Sequence, residues 1–295
     1  MTVSRQYLLA SILAVVTQVL LAQEFTTYTY LSTDSVDMEL DLFLPTSSSE
    51  EGMPLVIYVH GGGFAGGNRT EGHALATTLT ANNIACASIS YTLMQKGRGF
   101  GCDIPTPEKI NAIRVAAAQT WEATDFLLQK AVDLKLDPSQ VFLAGSSAGA
   151  ETILHAAFWD REKMKLTEHG LPGDFQYAGV IPGAGAIMDL NLIREENALP
   201  LFAFHGDKDN LVPYATASHH YCSPESPGWL MLFGSRSIAD HLTNLGQSVQ
   251  LHSFAGGGHG HAGEYFRDNQ NQVVDFIQSV MAGLTFTVYE TRPGK

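Results

Sequence analysis

The chain has 295 residues, and its 45% hydrophobic content suffices for one large core. A net charge of −13 speaks against nucleic acid and anionic membrane surfaces as partners, and the absence of a Lys/Arg cluster leaves a strongly anionic substrate without a landing patch. Three cysteines are too few for a disulfide scaffold.

Met1–Ala22 opens the chain with a single charge, Arg5, before an uncharged run from Tyr7 to Ala22. That run is shorter than the roughly 20 residues a membrane-spanning helix needs. The expectation is a signal peptide removed near Ala22, an exported product (periplasmic or secreted) with no stable membrane anchor, and one domain over residues 23–295. Phe25–Leu31 and Val36–Leu44 alternate as an antiparallel opening pair. Pro54–Val59 is continuously apolar, the mark of a strand covered on both faces. Thr46–Gly52 before it reads as a polar turn rather than a linker. Helical spacing runs over 70–81, and Ile84–Tyr91 is a strand. A glycine-rich loop, Thr92–Thr106, precedes a helix from Pro107 to about Val132, with proline in the first turn where its missing N–H costs nothing. Val141–Ala144 is a buried strand and 150–157 a helix. Tyr177–Ile181, Leu201–Phe204 and Val249–Phe254 are further strands, with helices near Ser235–Leu245 and from Ala262 to about Met281. The tail Leu284–Glu290 has strand character and no evident role.

Strand alternating with helix predicts an α/β fold: a mostly parallel central sheet of about eight strands, helices on both faces and right-handed crossovers. Such a sheet binds ligands at the carboxyl ends of its strands, where four motifs stand. In Gly145-Ser146-Ser147-Ala148-Gly149 a strand must turn sharply into a helix, so the hydroxyl of Ser147 is pushed out at the apex and the flanking glycines relieve the crowding. His60-Gly61-Gly62-Gly63-Phe64 leaves backbone N–H groups uncovered. Those of Gly62 and Gly63, with that of Ala148, can donate to an oxygen that becomes negative when Ser147 attacks a carbonyl. His60 reads as a scaffold residue of that loop.

A serine hydroxyl needs a base, and the base needs an orienting carboxylate. Asp207 and Asp209 compete for the second role in His205-Gly206-Asp207-Lys208-Asp209. Asp209 sits deeper in the loop, and Asp207 suits a turn. His259 and His261 compete for the first role in Gly256-Gly257-Gly258-His259-Gly260-His261, with His259 the choice.

Taken together, His60–Gly63, Gly145–Gly149, His205–Pro213 and Gly258–Gly260 resemble the α/β-hydrolase superfamily. Within it they are similar to the HGGG-type carboxylesterases, near the hormone-sensitive-lipase-like and feruloyl-esterase-like branch. The resemblance extends from about Phe25 to Met281. It implies a serine carboxylic-ester hydrolase working through an acyl-enzyme, with Ser147, Asp209 and His259 as catalytic triad and Gly62, Gly63 and Ala148 as oxyanion hole. It implies neither metal nor organic cofactor, and a small-molecule ester or an acylated polysaccharide, acetyl or feruloyl, as substrate. Two departures stand out. The long N-terminal cap of many such lipases is missing, and an insertion, about Tyr214–Gly234, lies between Asp209 and the next helix. Two alternatives share the motifs. A prolyl-oligopeptidase-like peptidase has the same triad, but this chain is too short for the usual propeller. A non-catalytic binding module usually loses a triad member, and all three are here.

Other residues remain open. The insertion crowds aromatic and histidine side chains that either stack on a substrate ring or pack on the domain. His219-His220 lacks the Cys/His spacing of a zinc site. Arg98 reads as a surface charge with a carboxylate-binding alternative. Glu151 either complements a helix dipole or lines the pocket. Cys86 reads as a buried thiol. Cys102 and Cys222 lie in loops whose parent strands are several positions apart, so at about 4.8 Å per strand only the long loops could bring them together; an exported chain could oxidise them, and the pairing stays open.

Overall fold

A computed structural model describes residues 24–32, 36–46, 52–164, 166–167 and 170–294. The signal-peptide reading and most of the Thr46–Gly52 turn lie outside the described residues. The strands are β1 (Thr26–Ser32), β2 (Asp37–Phe43), β3 (Met53–Val59), β4 (Ala85–Ile89), β5 (Leu136–Ser146), β6 (Gly179–Gly183), β7 (Ala186–Ile187), β8 (Leu201–Gly206), β9 (Thr216–Ser218), β10 (Met231–Gly234), β11 (Val249–Ala255) and β12 (Thr287–Pro293). Nine of them form one sheet in the order β1-β2-β4-β3-β5-β6-β8-β11-β12. β1 pairs antiparallel with β2, and β2 with β4. Every other pairing in this sheet is parallel. The strand-like tail thus has a place: it is the ninth strand, parallel to β11 at the sheet edge.

Helices α1 (His73–Ala81), α2 (Thr106–Gln129), α3 (Ala131–Leu134), α4 (Ala148–Phe158), α5 (Arg161–Met164), α6 (Ser235–Asn244), α7 (Glu264–Arg267) and α8 (Asn271–Met281) connect or follow the strands. The alternation within each strand sorts the core into two layers. Leu55, Ile57 and Val59 of β3 join Ile113 and Ala117 of α2, Ile153 of α4 and Ile238 of α6 on one side. Val56 and Tyr58 join Leu75 and Leu79 of α1, Phe266 of α7 and Phe276 of α8 on the other. Burial on both faces is why β3 reads as an unbroken apolar run.

Two helices differ from the sequence reading. The long α2 breaks at Lys130, and a short turn ends at Lys135 in the left-handed region, φ 54°. The helix expected from Ala262 is a 3₁₀ turn, His259–Gly263, then α7, then α8. The break falls where Asp268 is extended and Asn269 is left-handed, φ 55°, a conformation that Asn tolerates better than most residues.

The expected insertion is organised. β9 and β10 pair with each other and β10 with β7, all antiparallel, as a three-stranded sheet. Val212, Leu232 and Ala186 form its own small core. Cys102 and Cys222 are joined by a disulfide with Cα atoms 5.4 Å apart. The loops do what the strand spacing leaves to them: the one after β4 and the β9–β10 segment reach toward each other. Thr106 N–H donates to the Pro227 carbonyl and Gly228 N–H to the Cys102 carbonyl, and buried Lys109 donates Nζ–H to the Gly228 carbonyl at 2.9 Å. Cys86 is a buried free thiol.

Candidate active site

β5 ends in the center of the sheet, and the chain turns into α4 within one residue. Ser147 at that turn has φ 54° and ψ −122°, a region that costs a non-glycine residue about 1–3 kcal/mol. The turn closes because the residues two positions to either side, Gly145 and Gly149, have no side chains. A Cβ on Gly149 would lie 2.0 Å from the Val59 carbonyl oxygen, and one on Gly145 2.6 Å from that of Gly149. α4 is thereby drawn against the end of β3. Glu151 N–H donates to the Ser147 carbonyl at 2.9 Å, so Glu151 lies one helical turn along from Ser147.

Ser147 Oγ is 2.8 Å from His259 Nε2, and His259 Nδ1 is 2.7 Å from Asp209 Oδ2. A carboxylate only accepts, so Nδ1 carries the proton and Nε2 of the neutral ring is free to accept from the serine hydroxyl. His259 arrives on the 3₁₀ turn after β11 and Asp209 on the turn after β8, both from carboxyl ends of parallel strands. Asp209 is almost fully buried. Its Oδ1 accepts the N–H groups of Leu211 at 2.8 Å and Val212 at 3.0 Å, and its Oδ2 is also 3.1 Å from His205 Nε2. Burial alone would raise its pKa. The hydrogen bonds from His205 and His259 overcome that and hold the carboxyl well below the usual carboxylate range.

The rejected alternatives sit elsewhere. Asp207 Oδ1 accepts from Gly256 N–H at 2.8 Å and ties two loops together. His261 is buried, stacked on Phe254 at 4.0 Å, with Nδ1 3.2 Å from Glu264 Oε2.

Gly61, Gly62, Gly63, Ala148, Ser147 and His259 line one cavity of about 530 Å³. Gly62 has φ +109° and Gly63 φ +60°, and the Gly62 carbonyl is turned back to accept from Ala65 and Gly66 N–H, both 3.0 Å. His60 stacks on Tyr91 at 4.4 Å, and its Nδ1–H donates to the Gly61 carbonyl at 2.7 Å. Burial lowers its pKa. These contacts brace the loop from behind.

The far wall of the cavity includes Phe100, Glu151, His219 and His220. Glu151 and His219 are each 1% exposed. Their facing atoms, Oε1 and Nε2, are 3.2 Å apart but out of line for a hydrogen bond. His219 Nδ1 has no hydrogen-bond partner among the described residues. Burial raises the Glu151 pKa, and His219, with His155 and His220, pulls it down to a net depression. His219 meets Phe100 edge-on at 5.2 Å and lies tilted against His220 at 4.4 Å. His220 and Tyr221 are both left-handed, φ 55° and 52°. Among the described residues no three His, Cys, Asp or Glu are grouped as metal ligands would be. Arg98 is exposed and paired with Glu108 at 2.5 Å. The insertion's aromatic side chains divide, with Tyr221 and Trp229 exposed and His219 buried.

Sequence reasoning did not anticipate the contact of His205 with Asp209, nor Phe100 as a wall residue. The signal for the first was present: a histidine four positions before the chosen aspartate, across a Gly-containing turn.

A parallel sheet with helices on both faces, a serine at a strained strand-to-helix turn and an imidazole within hydrogen-bond reach define a serine hydrolase of the α/β-hydrolase class. The chain belongs to the BD-FAE family, an esterase family whose model matches residues 40–198, and it is a serine esterase. It is 24% identical to "Uncharacterized protein YfhR" of Escherichia coli (strain K12) over 250 residues, covering 81% of this chain and 76% of that protein. Its fold is similar to that of Thermogutta terrifontis esterase 2 phosphorylated by paraoxon, with TM-score 0.62, 15% identity and coverage of 88% of this chain and 95% of that one. The propionate-bound form of that esterase gives TM-score 0.61, 15% identity and coverage of 90% and 96%. At these identities the structural likeness shows the fold alone.

Proposed function

We propose that the protein hydrolyses carboxylic esters through an acyl-enzyme, with Ser147, His259 and Asp209 as its triad. The observation that carries this reading is the unbroken chain Ser147 Oγ, His259 Nε2 and Nδ1, Asp209 Oδ2, at 2.8 and 2.7 Å. His259 Nε2 takes the Ser147 proton as Oγ attacks the ester carbonyl. The oxygen that becomes negative meets the N–H groups of Gly62, Gly63 and Ala148. Each such donor is commonly worth about 3–4 kcal/mol at the transition state. His259 then protonates the leaving alcohol as its C–O bond breaks. Water repeats the sequence: its proton goes to His259, its oxygen to the acyl carbon, and Ser147 recovers the proton. Asp209 holds the imidazole in the required tautomer.

The substrate class we favour is a small ester or an acylated polysaccharide, with acetyl or feruloyl as acyl group. The support is the family and an open, partly aromatic cavity wall. We propose export, periplasmic or secreted, after cleavage near Ala22. The Cys102–Cys222 disulfide supports an oxidising compartment, and among the described residues no helix is long and apolar enough to cross a membrane.

The test uses paraoxon, which phosphorylates the similar Thermogutta esterase 2, followed by a panel of acetyl, feruloyl and longer-chain esters. One phosphoryl group on Ser147 with loss of turnover is expected. A modified wild type without loss of turnover would refute the triad. Amide turnover exceeding ester turnover would favour the peptidase reading.

A further inference from the structure

The carboxylate of Asp209 serves two imidazoles, not one. Oδ2 is 2.7 Å from His259 Nδ1 and 3.1 Å from His205 Nε2. His205 is fully buried. Its Nε2 faces only acceptors, Asp209 Oδ2 and the Val212 carbonyl at 3.2 Å, so Nε2 carries a proton. Its other nitrogen, Nδ1, is 2.9 Å from Ser235 Oγ, the first residue of α6 and also fully buried. The Gly185 carbonyl is 3.3 Å from that hydroxyl. Read outward from Asp209, the chain is nearly symmetric: a histidine and a serine lie on the cavity side, and a histidine and a serine lie on the core side.

We infer that His205, fixed by Ser235, is a positioning residue for the reaction, acting through the Asp209 carboxylate. This rests on the reading of Asp209 as the orienting carboxylate of His259. The physical need is specific. Oδ1 is held by two amides on one loop, but those bonds alone leave the carboxylate free to twist about them. A second donor on Oδ2, from a ring anchored in β8 and α6, fixes the twist. The oxygen then stays in the plane that His259 Nδ1–H requires. The acceptors Asp209 Oδ2 and the Val212 carbonyl place the His205 proton on Nε2, and Ser235 Oγ, whose one proton faces both His205 Nδ1 and the Gly185 carbonyl, anchors the other edge of the ring. Tyr214 meets the His205 ring edge-on at 5.6 Å and limits its rotation. His205 touches no reacting atom, so its effect appears in the rate of the chemical step and not in substrate affinity.

The experiment measures kcat and KM of the full chain on one ester for His205→Leu, His205→Gln, Ser235→Ala, Asp209→Asn and the double variant His205→Leu/Asp209→Asn. His205→Leu should lower kcat roughly 10- to 100-fold, the scale of a small misplacement of a catalytic group, with KM within about twofold. His205→Gln keeps an N–H at the Nε2 position and should recover most of that loss. Ser235→Ala should lower kcat by a few-fold at unchanged KM. The double variant should lose no more than Asp209→Asn alone, because one effect passes through the other residue. If Asp209→Asn retains full turnover, the triad reading itself fails. If Asp209→Asn is crippled while folded His205→Leu keeps its kcat, or loses KM and kcat with no rescue by Gln, this inference is overturned. Should His205→Leu fail to fold, Ser235→Ala decides: wild-type kcat there overturns it.

Discussion

Cys102 and Cys222, 120 positions apart in sequence, are bonded to each other, and the bond fastens the loop that carries Phe100 to the segment that carries His219 and His220. All three of those side chains line the cavity beside Ser147. The disulfide is therefore a clasp on the wall facing Ser147, placed two residues from Phe100 and from His220.

Opening that clasp should cost both stability and substrate fit. A Cys102→Ser/Cys222→Ser variant is expected to lose about 2–4 kcal/mol of unfolding free energy, read by denaturant titration. Its KM should rise more than its kcat falls, because the wall is loosened and not the chain of contacts from Ser147 through His259 to Asp209. Equal KM values for the two forms would show that the wall does not contact substrate.

The two serines of the elbow should separate cleanly. Ser147→Ala should lower kcat by about 10⁴- to 10⁶-fold, measured with a chromogenic ester. Ser146 Oγ is 3.4 Å from the Tyr58 hydroxyl, so Ser146→Ala should cost about 1 kcal/mol of stability at most and keep its turnover.

Glu151 and His219 are buried together, and removing one partner should cost more than both are worth as a pair. Glu151→Leu is expected to lower stability by about 3–5 kcal/mol in chemical denaturation, and Glu151→Gln, which keeps the shape, by less. A Leu variant as stable as wild type would mean that Glu151 is neutral in the folded protein.

Acid should weaken the fold through His155. Burial holds its pKa at about 4, down from 6.5, against the opposing bond to the Glu151 carbonyl and the Glu151 charge. The folded state therefore binds this proton less readily than the unfolded chain does. Its stabilising contribution is complete above pH 6.5 and declines as pH falls toward 4, with no further loss below. A shift of that size amounts to about 3 kcal/mol. Urea unfolding followed from pH 7 to pH 4 should show the decline. A His155→Gln variant, less stable throughout, should show a shallower one.

How far the sequence could be read depends on what each signal encodes. Apolar runs such as Pro54–Val59 announce buried parallel strands because both faces need covering, and glycine spacing announces the elbow because only Gly149 can approach the Val59 carbonyl. Ser147, Asp209 and His259 were legible as types at the ends of strands. Their approach to within 2.8 Å was not, because it depends on the register of β5, β8 and β11. The three-stranded sheet of β7, β9 and β10 escaped notice because each strand is two to four residues long, too short for periodicity to show. The Cys102–Cys222 pairing stays open in the sequence because it is a property of two loops, whereas the strand count speaks only of the frame beneath them. His205 was passed over because a buried histidine in an apolar strand looks like packing until its carboxylate is located.

The last strand gives the sheet a guarded rim. β12 covers the whole length of β11 and turns outward a mixed edge, with exposed Val288 and Tyr289 beside the paired charges of Glu290 and Arg292. Charge along a rim discourages a second molecule from adding to the sheet. A chain shortened before Thr287 would uncover the backbone donors and acceptors of β11, the strand that leads directly to His259. Such a fragment would tend to zip onto its own copies, so the final few residues act as a built-in guard of solubility for the element that carries His259 toward Ser147.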